Sequence, residues 1–70
     1  MAKYKISNVT HILLGDQKTT LFQVYALNYT GWVYVGTYGI LGHFKKPKTI
    51  IRKHCEVENK PFIPSEWGLE

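Results

Sequence analysis

Apolar residues in this chain fall into short alternating runs separated by polar turn residues, a pattern of strands more than of long helices. "TTLFQVYALN" (19 to 28) and "WVYVGTY" (32 to 38) are dense in aromatic and β-branched side chains, which suit a pleated backbone. Between them "NYTG" (28 to 31) supplies Asn, Thr and Gly for a short reversal, so the two runs predict an antiparallel hairpin. An earlier strand is expected within "KYKISNVTHILL" (3 to 14), ended by the turn pair Gly15-Asp16. After Pro47, which suits a first helical turn, Ile50, Ile51, His54 and Cys55 recur at helical spacing. The spacing predicts a helix that buries those four and turns Lys48, Arg52 and Lys53 outward. The β-branched run Thr49-Ile50-Ile51 favours a strand instead. The fold class expected is therefore α+β: one domain spanning residues 1 to 70, with a small antiparallel sheet of three or more strands and one C-terminal helix. A small all-β barrel is the alternative.

A turn at 28 to 31 sets a register in which 27 faces 32, 25 faces 34 and 21 faces 38. Alternation then puts Phe22, Val24, Ala26, Val33 and Val35 on one face, and Leu21, Tyr25, Leu27, Trp32, Tyr34 and Tyr38 on the other. Both faces are apolar, where a half-exposed hairpin would be polar on one side. Either the aromatic face is covered, by barrel closure or by "KPFIPSEW" with Phe62 and Trp67 as a lid, or it is a platform for stacked bases or a docked partner.

Charge sharpens this picture. The 70 residues carry a formal net charge of +4. Residues 1 to 44 contribute +2, residues 45 to 54 contribute +5 through Lys45, Lys46, Lys48, Arg52 and Lys53, and residues 55 to 70 contribute −3. So local a concentration of cations is the pattern of an anion site and not of a uniformly basic coat. Lysines at the start of a helix oppose its dipole, a cost that reverses once an anion sits there. Cys55 is the single cysteine, which excludes an internal disulfide and fits a reducing compartment. The N-terminus lacks a signal-like apolar run, and no stretch approaches the roughly 18 apolar residues of a membrane span, so a cytoplasmic location is expected.

Equipment for catalysis is sparse. His11, His43, His54 and Cys55 occur without the spacings of metal sites, and four of the five carboxylates lie in the last fifteen residues. No enzyme, metal or cofactor is expected. Gly36, Gly39 and Gly42 form G-x-x-G-x-x-G, which matches neither the P-loop nor the dinucleotide fingerprint and reads best as a bulge or bend where a strand leaves the sheet. Two binding functions remain. In one, the protein is a nucleic-acid-binding accessory factor for DNA or RNA: Lys45, Lys46, Lys48, Arg52 and Lys53 neutralise phosphates while Trp32, Tyr34 and Tyr38 stack on bases. In the other it is a small inhibitor or adaptor, of the sort mobile elements encode, docking on an acidic protein through its aromatic face, with a homodimer as a further possibility.

The strand "WVYVGTY", with Gly36, Thr37 and Tyr38 leading towards a helix, resembles the sheet-plus-helix DNA-binding modules of plant ethylene-response factors and the arm-binding domains of phage integrases. The likeness covers at most residues 19 to 57. It implies a three-stranded sheet backed by one helix, and DNA read largely by arginines on the sheet; residues 19 to 38 contain no arginine.

Overall fold

The computed structural model describes residues 2–69. Three strands, β1 (Tyr4–Leu14), β2 (Gln17–Asn28) and β3 (Gly31–Leu41), form an antiparallel meander in the order β1-β2-β3. A helix, α1 (Pro47–Val57), follows, and a short 3₁₀ turn, Pro64–Trp67, precedes the C-terminus. The fold is α+β with an open sheet, so the barrel alternative is set aside. Long strands and a single short helix give an elongated body of 41 × 21 × 20 Å.

The hairpin turn falls where the sequence put it, and Leu27 faces Trp32 while Tyr25 faces Tyr34. Beyond Tyr25 the register shifts: Val24 faces Gly36, Phe22 faces Tyr38 and Thr20 faces Ile40. Val35 is the extra residue, a β-bulge, and it corrects the expected pairing of 21 with 38. A one-residue slip exchanges faces, so Tyr38 sits with Phe22 on the core side and not with Trp32 and Tyr34. A second irregularity, between Ser7 and Thr10 of β1, sets Asn8 and Val9 against Phe22. Asn8 takes φ 53°, a left-handed conformation that Asn tolerates better than most residues.

The core lies between the sheet and α1: Phe22, Val24 and Ile40 meet Ile50, Ile51 and Cys55, and Trp67 closes the end. The four helix residues buried are Ile50, Ile51, His54 and Cys55, as the helical spacing predicts. The Trp67 ring lies tilted at 5.1 Å from that of Tyr4 and edge-on at 6.0 Å to His54, while Phe62 packs partly buried against the same core. The tail therefore covers the helix side, and the expected lid over the aromatic face is not formed. Among the described residues, no helix is long and apolar enough to cross a membrane.

Candidate nucleic-acid interface

The chain leaves the sheet at Gly42, whose φ of 104° few other residues could adopt and where an added Cβ would meet the Phe44 ring at 2.7 Å. A set of hydrogen bonds then fixes residues 42 to 44 against β1 and β2. The Gly42 amide donates to the Lys18 carbonyl (2.7 Å), and the Thr20 hydroxyl donates to the Gly42 carbonyl (2.7 Å) while accepting from the Phe44 amide (3.1 Å). His11 Nε2 donates to the Phe44 carbonyl (2.6 Å) and His43 Nε2 to the Ile12 carbonyl (2.9 Å). A carbonyl can only accept, so both imidazoles carry their proton on Nε2. These two histidines lie 5.2 Å apart and serve as clasps for the loop.

The clasped loop delivers the basic segment to the helix start. Lys46 is the N-cap with no side-chain cap, Pro47 opens the helix, and no acidic residue occupies its first turn. Lys45, Lys46, Lys48 and Arg52 are exposed, and Lys48 and Arg52 lie one turn apart on the same helix surface. Among the described residues the ion pair formed is Lys3 with Glu66, at 3.9 Å, so none of the five clustered cations is neutralised in that way. Lys53 differs from the other four: its ammonium sits 5.3 Å from the centre of the Phe44 ring and is partly committed to packing. Glu66 does not reach this cluster, because it pairs with Lys3 and its carbonyl accepts from the Lys3 amide (2.7 Å), whereas Glu56 of α1 lines one groove with Lys53. Glu70 lies outside the described residues.

The sequence-predicted residues do not come together as one site. Trp32 and Tyr34 lie on the sheet face turned away from α1, at 39% and 52% exposure. Tyr38 is on the opposite, helix-covered face, 4.6 Å from the His54 ring and 6.3 Å from Phe22, so it belongs to the core margin and not to a stacking row. The basic cluster shares the helix side with Tyr38. Lys5 is a residue that the sequence reading missed: opposite Tyr25, it places its ammonium 4.8 Å from the Trp32 ring centre and 5.6 Å from that of Tyr25. Its signal was hidden, because only the full β1 register sets Lys5 beside those rings.

The three glycines likewise separate. Gly36 underlies the Tyr38 ring on the core side, Gly39 makes room for Leu21 on the open side, and Gly42 turns the chain out of the sheet. They do not line one loop; the bulge falls at Val35 beside Gly36, and the bend out of the sheet at Gly42.

Other chemistry is limited. Burial pushes the Cys55 thiol above its ordinary pKa, with Lys60 pulling it down and Glu66 adding to the rise, which leaves little reactive thiolate. Burial likewise lowers the His54 pKa, helped by the charge of Lys60 and opposed by Glu58. No three His, Cys, Asp or Glu side chains gather into a metal site among the described residues. A shallow groove of about 180 Å³ between β3 and α1 is lined by Ile40, Leu41, Lys53, Glu56 and Val57.

No protein-family model, curated protein or solved structure matches the chain.

Proposed function

We propose that the protein is a small, non-catalytic nucleic-acid-binding accessory protein of the cytoplasm that neutralises phosphates through residues 45 to 53. The observation that carries this reading is the exposed group Lys45, Lys46 and Lys48 at a clasped helix start with no acidic residue in its first turn, continued along the helix by exposed Arg52. Such an arrangement is costly in isolation, since cations oppose the helix dipole and repel one another, and an anion relieves both costs. Phosphates satisfy it without base readout, which suits a cluster on the side of the sheet away from Trp32 and Tyr34. The single buried free thiol is in keeping with a reducing compartment. The bare aromatic face supports a second reading, as an inhibitor or adaptor for an acidic protein. That face offers one charge, Lys5, so an acidic surface would find little to pair with, and nucleic acid at the basic segment is the reading kept.

The test is affinity for single-stranded DNA, duplex DNA and RNA, measured by fluorescence anisotropy over a range of salt concentrations. Replacing Lys45, Lys46 and Lys48 together by Gln should weaken binding about equally across sequences. It should also flatten the salt dependence by about 0.9 log-log units per lost duplex phosphate contact. A salt slope identical to that of the unaltered protein would overturn the assignment.

A further inference from the structure

The sheet face turned away from α1 runs the whole length of the strands, and among the described residues no helix or turn lies over it; Thr19 on this face is covered by its strand neighbours Ile12, Leu21 and Leu41. At one end stand Tyr25, Leu27, Trp32 and Tyr34; at the other stand Ile12, Leu14, Leu21 and Leu41. Leu14 and Leu41 are 60% and 68% exposed. The middle is polar but uncharged, with the Asn8 and Tyr25 side chains both donating to Gln23 Oε1. None of the three strands contains a carboxylate, and Lys5 is the one lysine they place on this face, since Lys18 alternates to the other side.

Two properties of this face select its occupant. A polyanion would meet a single cation, and an acidic protein the same, so charge complementarity favours a neutral, mostly apolar partner. The face is itself that surface. Eleven residues at about 3.3 Å along three strands about 4.8 Å apart give a flat footprint of about 500 Å². Side-chain relief raises this towards the about 800 Å² per partner of a standard stable interface. A two-fold axis lying in the contact plane would bring the same patch of two chains together, at the about 10 Å spacing of packed sheets.

We propose that this face is the interface of a homodimer, in which a second copy of the chain packs sheet against sheet and buries Trp32, Tyr34, Leu14 and Leu41. The proposal does not depend on nucleic-acid binding, because α1 and its cations lie on the opposite side.

Sedimentation equilibrium of the full chain, without nucleic acid, from about 1 to about 100 μM tests it. Twice the chain mass is expected at the upper end. Tyr34→Lys and Leu14→Lys, at exposed positions at opposite ends of the face, should each weaken association at least about tenfold by burying an unpaired charge. Circular dichroism and the thermal midpoint, taken at concentrations where every variant is monomeric, should stay unchanged. Lys48→Gln on the helix side should leave the mass unaffected. A chain that is monomeric at the upper concentration overturns the proposal, as does a dimer indifferent to both lysine substitutions. So does a monomer whose Trp32 becomes shielded from quencher only when single-stranded oligonucleotide or a foreign protein is added.

Discussion

The two faces of the sheet draw on the same three strands and the same aromatic and aliphatic residue types, yet they have opposite fates. On one, Phe22, Val24 and Ile40 are sealed by α1 and Trp67. On the other, Trp32, Tyr34 and Leu41 stand open. Hydropathy along a strand therefore marks what wants covering without saying what will cover it. The difference comes from placement: α1 and the 3₁₀ turn both pack on the side of Phe22, and even there Val33 stays 43% exposed.

The comparison is broken most directly by truncating one aromatic on each face. Phe22 is 0% exposed, and Phe22→Ala should cost about 3 to 5 kcal/mol in urea unfolding, a large share of the stability of so small a domain. Trp32→Ala, in dilute solution, should cost no more than about 1 kcal/mol. Equal losses would mean that both faces are core. The two tryptophans also report the faces separately, since Trp67 is 6% exposed and Trp32 39%: acrylamide should quench one population readily and spare the other.

Removing residues 65 to 70 takes away Trp67 and the Lys3–Glu66 pair, and should lower stability by about 3 kcal/mol, with Trp67 outweighing the exposed pair. Nucleic-acid affinity should not rise, because the tail lies on Tyr4 and not on the basic cluster. A tighter-binding truncation with an unchanged midpoint would relocate the tail.

A third expected outcome concerns acidity. His54 is buried among Phe22, Tyr38 and Trp67, and its folded pKa is lowered, first by burial and then by Lys60, with Glu58 opposing. The unfolded imidazole titrates near about 6.5 and takes up its proton first. Stability is thus full above that value and falls as pH drops through it towards the lower folded pKa. Unfolding midpoints against pH should show this decline, and His54→Leu should remove it. A decline unaltered by the substitution would assign it to other groups.

The smallest effect lies on the outer surface of α1. Lys48→Glu places an acid in a first turn that has none, and should stabilise the fold by about 0.3 to 1 kcal/mol while weakening nucleic-acid binding. Gains in both stability and affinity would argue against phosphate at this helix start.

Much of the architecture was legible in the chain, for local reasons. Asn28 to Gly31 turn where their chemistry permits, and Pro47 with the spacing of Ile50, Ile51, His54 and Cys55 specifies both the start and the buried face of α1. What escaped depends on long-range register. Tyr38 looks equivalent to Tyr34 until Val35 is seen to be unpaired, and Lys5 looks like an ordinary surface lysine until β1 is docked beside Tyr25. The cluster at 45 to 53 was visible as charge. That it shares no face with Trp32 could be known only once α1 was laid on one side of the sheet.

Val35 has a further consequence, for changes in chain length. Because it is the residue without a cross-strand partner, excising it would join Tyr34 directly to Gly36 and leave Tyr25–Tyr34, Val24–Gly36 and Phe22–Tyr38 opposite one another as they are now. Excising Thr37 instead would keep Phe22–Tyr38 and Thr20–Ile40 opposite one another if Val35 gave up the bulge, paired with Val24 and moved Gly36 opposite Gln23. One strand thus holds a short stretch, Val35 to Thr37, where a single-codon loss amounts to local straightening, next to Gly39, where the same loss would turn Ile40 out of the core.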